Sequence, residues 1–389
     1  MTAGNDTDDL ALIRDAVRSV CAEFDDDYWA ACDREHRFPW DFYRAMADGG
    51  WIGIAIPEQY GGGGRGILEA ATVLQTVAAS GAAMNGASSL HMSIFGMQPV
   101  IRHGDEAMCR RFLPAVADGS LHVAFGVTEP DAGTDTTRIT TRAVRDGDHY
   151  VINGRKVWTS KAMEADRILL LTRTTPLAEC RRPTDGMTLF LVDKHAPGVG
   201  VAPIPKMGRN AVASCETTYD DVSVPAADRV GDEGQGFRYL IDGLNAERVL
   251  IAAECIGDGY WFIDRATKYA KDRVVFGRPI GQNQGVQFPI ADAFIELEAA
   301  NLMRWKACEK IDAMQNAGAE ANMAKYLAAK ASWEAANVCL QTHGGFGFAC
   351  EYDIERKFRE TRLYQVAPVS TNMIFSYVAE HILGLPRSF

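Results

Sequence analysis

Apolar residues recur at helical spacing from Asp8 to about Ala117, as in Leu10, Ile13, Val17 and Val20 and again in the run ILEAATVLQTVAAS. Between these stretches, WIGIAIPEQYGGGGRG holds a proline and four consecutive glycines and predicts a loop; no Lys-Ser/Thr follows, so it does not read as a phosphate cradle. From about Leu121 to Val230 the period drops to two. The runs HVAFGVT, HYVINGRKVWTS, RILLLTR and MTLFLVD, separated by Gly, Pro, Asn and Asp, predict a small all-β domain, sheet or barrel. After GDEGQGF the helical pattern returns in LNAERVLIAAECIG, QFPIADAFIELEAANLMRWKACEKI, ANMAKYLAAKASWEAANVCLQTHGG and STNMIFSYVAEHILG, the third stopping at Gly344 and Gly345 as a helix C-terminus should. The expected fold class is α+β in the order α-β-α, with an all-α domain over 1–117, a β-barrel or sandwich over 118–230 and a helical bundle over 231–389. No internal repeat is visible.

With 389 residues and 47% hydrophobic content, the chain can bury more than one core. A net charge of -11, with both signs mixed along the length, offers no basic stripe for a nucleic-acid backbone. The nine cysteines form no C-x-x-C pair and read as buried thiols in a reducing compartment. None of the eight histidines lies three or four residues from another, so no metal site is expected. The acidic N-terminus reads as neither a secretory signal nor a transit peptide, and no apolar run approaches the roughly 20 residues that cross a bilayer. A soluble, cytoplasmic protein without membrane contact is expected.

Phe125-Gly-Val-Thr-Glu-Pro-Asp-Ala-Gly-Thr-Asp135 closes a strand and opens a loop rich in hydroxyls and main-chain donors, and Lys156-Val-Trp-Thr-Ser160 follows. Read singly, these are a tight turn and a core tryptophan on a strand. Together they closely resemble the flavin-binding signatures of the acyl-CoA dehydrogenase family, whose α-β-α layout agrees with essentially the whole chain. The resemblance implies FAD as cofactor. It implies that Phe125, Val127, Thr128, Gly133 and Thr134 contact the flavin or its pyrophosphate, and that Trp158, Thr159 and Ser160 cover the ring and approach N5. Hydroxyls and main-chain N–H groups suit the polar edges of an isoalloxazine whose face must stay open. Arg273-Val-Val-Phe-Gly-Arg278 with Gln284, and Gln341-Thr-His-Gly-Gly-Phe-Gly-Phe348, resemble the family segments that reach the adenine half of FAD on a neighbouring subunit. Arg273, Phe276, Gln284, Gln341, Gly344 and Gly345 are thereby implied as cofactor contacts, and a homo-oligomer, a tetramer built as a dimer of dimers, is implied with them. Gly344 and Gly345 also serve as a plain helix C-cap.

In much of the family the catalytic base is the Glu of a Tyr-Glu-Gly-Thr motif near the C-terminus. The corresponding stretch here reads Ala367-Pro368-Val369-Ser370, with proline in place of that glutamate. Relatives resembling isovaleryl-CoA and long-chain acyl-CoA dehydrogenases carry the base on an inner helix, one residue before an arginine, and Ala246-Glu247-Arg248 stands at that place. Glu247 is the candidate base. Independently, LNAERVLIAAECIG is apolar around most of its circumference, so its carboxylate should be buried, with its pKa raised. An ordinary ion-paired carboxylate, with Glu254 on roughly the same face, is the plainer alternative. Arg248 points about 100° away and is assigned to substrate binding. Proline lacks the N–H that holds the thioester carbonyl in relatives, so either Val369 donates instead or a flavin hydroxyl carries more of the polarisation. Ser370 and Asn372 match positions that help hold FAD. The expected function is α,β-dehydrogenation of an acyl-CoA with electrons passed to an electron-transferring flavoprotein. An acyl-carrier-protein substrate, a flavin monooxygenase or nitroalkane-type oxidase, and a non-catalytic DNA binder remain as rivals.

Overall fold

A computed structural model describes residues 8–388; the segment 1–7, part of the acidic N-terminus read above, lies outside the described residues. Seven helices come first: α1 (Asp8–Cys21), α2 (Asp26–Glu35), α3 (Trp40–Asp48), α4 (Ile67–Val77), α5 (Ala83–Phe95), α6 (Gln98–His103) and α7 (Glu106–Ala117). Eight strands follow: β1 (Val123–Gly126), β2 (Arg142–Asp146), β3 (His149–Ser160), β4 (Arg167–Arg173), β5 (Met187–Asp193), β6 (Val199–Pro203), β7 (Ser214–Pro225) and β8 (Arg229–Val230). The chain then forms α8 (Gly236–Asp272), a short hairpin of β9 (Val274–Val275) and β10 (Arg278–Pro279), α9 (Gln284–Asp312), α10 (Gly318–His343), α11 (Ile354–Thr361) and α12 (Thr371–Tyr377).

The eight strands make one sheet in the order β6-β7-β3-β2-β4-β5-β8, with β1 paired in parallel to β4. Continuous apolar runs in β4 and β5 reflect burial on both faces, since side chains alternate. Leu169, Leu171, Leu189 and Leu191 pack toward α6 and α7, while Ile168, Leu170, Phe190 and Val192 pack into the opposite core with Tyr150 and Val222.

The stretch LNAERVLIAAECIG of α8 is apolar around most of its circumference, and the helix is buried along most of its length, between α4, α5, α9 and α10. It approaches α4 so closely that a Cβ on Gly257 would sit 2.1 Å from the Gln75 carbonyl oxygen. The three parts of the chain meet at Asn85 on α5. Its amide donates to Asp33 (3.3 Å) and Glu360 (2.8 Å), and its carbonyl accepts from the Ala211 N–H at 3.0 Å.

Two expectations need correction. Cys350 is exposed and Cys180 half-buried, because both sit on surface turns rather than on packed faces. Also, the helical stretch 67–103 is long and apolar enough to cross a bilayer by length and composition; it is mostly buried within the protein, as an inner helical segment is.

Candidate active site

Strand β3 runs regularly beside β7 until its register shifts between Lys156 and Thr159. Trp158 at this bulge has φ 62°, which turns its indole out of the sheet and leaves it 57% exposed. The neighbouring loop is bound to the bulge at several points. The Val157 N–H donates to the Thr128 carbonyl at 2.9 Å, and Lys156 Nζ donates to the Val127 carbonyl and to Glu129 Oε1, each at 2.9 Å. Glu129 in turn accepts from the N–H groups of Thr140 (2.7 Å) and Thr141 (2.9 Å). Burial alone would push the Glu129 carboxyl up; the Lys156 ammonium and these donors outweigh it and hold the group down at about 2. Burial draws Lys156 down to about 8, so the pair remains ionised at neutral pH.

The loop after Phe125, through Val127 and Thr128, is thereby tied to the bulge that carries Trp158, Thr159 and Ser160. Thr159 Oγ1 is buried without a hydrogen-bond partner from the described residues. A Cβ on Gly133 would meet nothing within 4 Å, and Thr134 beside it is exposed, so the loop crest leaves room for a ligand's approach. Unsatisfied hydroxyl, open loop and outward indole together fit a flat polar-edged ring with a phosphate tail. Arg209, from the loop before β7, donates to Ser160 Oγ at 3.0 Å and to Ser88 Oγ at 3.4 Å.

Glu247 lies mid-way along the first half of α8 and is 9% exposed. Burial raises its pKa to about 7, against the opposing charges of His91 and Arg248, with Glu254 adding to the rise and Lys325 to the opposition. Arg248 points elsewhere: its Nη1 donates to Asn245 Oδ1 at 2.8 Å, and its Nε is buried without a partner among the described residues. Lys325, from α10, donates to the carbonyls of Tyr364 (2.8 Å) and Val369 (2.9 Å) and so fixes the segment around Pro368. Ser370 caps α12 by accepting from the Met373 N–H, and Asn372 is exposed on that helix's first turn.

A second concavity opens at the far end of α8. Arg273, Gln341, Gly344 and Gly345 line a pocket of about 630 Å³ with Tyr269 and Phe346, whereas Phe276 projects from the β9–β10 turn, 101% exposed, and Gln284 opens α9 outside the pocket. At 1.5 Å per residue, Arg273 lies about 39 Å along the helix axis from Glu247.

Three family models match in series: acyl-CoA dehydrogenase N-terminal domain over residues 7–120, middle domain over 124–222 and C-terminal domain over 234–383. The chain belongs to the acyl-CoA dehydrogenase family. Among curated relatives, acyl-CoA dehydrogenase FadE12 of Mycobacterium tuberculosis is 36% identical, across 99% of this chain and 98% of that protein. The structure of a glutaryl-coenzyme A dehydrogenase in complex with glutaryl-CoA superposes with a TM-score of 0.93 at 30% identity, covering 99% and 98% of the two chains. PigA with FAD and proline superposes with a TM-score of 0.93 at 26% identity, covering 98% and 99%.

His91, Arg209 and Lys325 were missed by sequence reasoning. Each is a single basic residue in a helix or loop that meets residues tens to hundreds of positions away, Glu254 for His91, Ser88 and Ser160 for Arg209, and Tyr364 and Val369 for Lys325, so no local spacing marks it. Lys156 and Glu129 lay within the signatures without a role assigned to either.

Proposed function

We propose that this member of the acyl-CoA dehydrogenase family is an FAD-dependent dehydrogenase of acyl-CoA thioesters in which Glu247 is the base that takes the α-proton. FAD, when bound, supplies the acceptor for the β-hydrogen as hydride. The observation that carries the reading is a carboxylate on a buried inner helix, its pKa raised to about 7 by burial, in a chain with proline at the family's other base position. A base with that pKa is substantially ionised at neutral pH and still basic enough to accept a carbon-bound proton whose acidity the thioester raises.

Lys325 holds the carbonyls of Tyr364 and Val369 on either side of Pro368, which supports a role for the Val369 N–H or a flavin hydroxyl in polarising the thioester carbonyl. The loop 125–135 and the bulge at Trp158 would hold the flavin ring. The 630 Å³ pocket at Arg273 stands too far along α8 to serve the same ring's site, and supports a homotetramer in which it takes the adenine half of FAD held by another copy. The electron acceptor in this reading is an electron-transferring flavoprotein, and the enzyme works in the cytoplasm.

Anaerobic titration of the holoenzyme with short, branched and long acyl-CoAs, following the oxidised-flavin absorbance, tests the function. Bleaching by one class supports it. A flavin that no acyl-CoA reduces overturns the CoA reading in favour of a carrier-bound substrate or an oxygen-using relative.

A further inference from the structure

Glu254 follows Glu247 by seven residues, two turns further along α8 and on the same face. It is fully buried. His91 from α5 brings Nδ1 to 2.8 Å from Glu254 Oε1, but without the alignment of a hydrogen bond, and neither carboxylate oxygen has a hydrogen-bonding donor among the described residues. The Tyr364 hydroxyl and Arg209 Nε are likewise buried without partners there. These groups belong to one neighbourhood. The His91 ring packs on Phe95 at 4.6 Å, and Phe95 on Phe125 of the flavin signature at 5.6 Å. Arg209 bridges Ser88, one turn before His91, to Ser160 beside the expected flavin position. The charges of His91 and Glu254 act on Glu247, and those of Glu254 and Tyr364 act on Arg209, so these groups lie within reach of one another around Glu247 and Arg209.

A wall meant for saturated hydrocarbon is apolar, because an unpaired buried carboxylate or hydroxyl against methylenes is unfavourable. We propose that His91, Glu254 and Tyr364 form a polar end to the acyl pocket, and that the acyl chain this enzyme takes carries a hydrogen-bond donor, a hydroxyl or an amine, that reaches Glu254. A carboxylate-ended chain meets like charge there and is disfavoured. The inference rests on Glu247 being the active-site base, since it takes the pocket to extend from that residue.

Binding is measured by calorimetry on the Glu247→Gln holoenzyme, which separates affinity from turnover, with pairs of acyl-CoAs of equal length that differ only in a terminal methyl, hydroxyl, amine or carboxylate. At some chain length the hydroxyl or amine partner is expected to bind at least about tenfold more tightly than the methyl partner, roughly one well-made hydrogen bond to a charged group. Adding Glu254→Leu should reverse that preference. Adding Glu254→Gln, which keeps the shape, should keep the hydroxyl preference and lose the amine preference. Equal binding of methyl and donor-bearing chains across all lengths overturns the proposal, as does a preference for the carboxylate, or a donor preference that survives Glu254→Leu. Near-normal flavin bleaching by Glu247→Gln would instead refute the base assignment, whatever the binding series shows.

Discussion

A carboxyl group inside a helix bundle is held either neutral or compensated, and Glu247 is poised between the two. The activity should therefore rise with pH through about 7 and level off above it, because only the ionised form accepts the α-proton. Glu247→Gln should keep bound flavin, lose roughly 10²- to 10⁴-fold in the rate of flavin bleaching by acyl-CoA, and flatten that ionisation. Stopped-flow absorbance across a pH series reads all three. The same shift bears on stability with a definite sign. A carboxyl whose folded pKa is raised from 4.5 to about 7 favours the native state below 4.5, and that contribution is lost as pH rises through 7. At about 1.4 kcal/mol per pKa unit, the loss amounts to about 3 kcal/mol. Glu247→Gln should then be more stable than the unaltered chain at pH 8 and much closer to it at pH 4, as read by urea midpoints.

At the scale of elements, the Lys156–Glu129 pair joins strand β3 to the loop that follows β1, and through Thr140 and Thr141 to the start of β2. Lys156→Met leaves a buried carboxylate with its main-chain donors but without its counter-charge. It should cost about 3–5 kcal/mol of stability, the range for breaking one side of a buried pair, and should weaken flavin retention because the cradle loses its anchor. Denaturant titration and the flavin content after gel filtration check the two effects separately. Much at this scale was legible beforehand. The runs RILLLTR and MTLFLVD are β4 and β5, since a two-residue period with burial on both faces leaves an unbroken apolar run. The β9–β10 hairpin was not legible: it is two residues deep on each side, with no alternation to read. Nor was the end of STNMIFSYVAEHILG: the stretch is a short helix that buries Ile374, followed by a π-turn at Val378–Ile382 in which no residue is buried, so the apolar pattern of its end meets no core.

For the whole molecule, α9 shows Phe288, Ile295 and Leu302 largely exposed, and Phe276 stands fully out near the Arg273 pocket. Exposed apolar side chains of this kind suit the association of copies proposed above. If the pocket completes the cofactor site of another subunit, flavin loading must depend on protein concentration. Arg273→Ala should then weaken flavin retention about tenfold and make the loss steeper on dilution, which fluorescence of released flavin at graded concentrations would follow. Loading independent of concentration would confine the cofactor to one protomer.

The sequence by itself determined the order of helix and strand, the burial of α8 and the candidacy of Glu247, because periodicity and local composition are properties of short stretches of chain. The same short stretches carried the two flavin signatures and the missing glutamate at Pro368. Only the tertiary structure decided what surrounds Glu247. His91 comes from α5, Arg209 from the loop before β7 and Lys325 from α10; His91 and Lys325 act on Glu247 and Arg209 on Glu254 through space rather than along the chain. Electrostatic fields and hydrogen bonds fall off over a few ångströms in the folded state, whereas these residues are separated by up to 234 positions in the chain, His91 to Lys325. No local pattern encodes such a meeting, so the polar surroundings of Glu247 emerge only once the helices have packed.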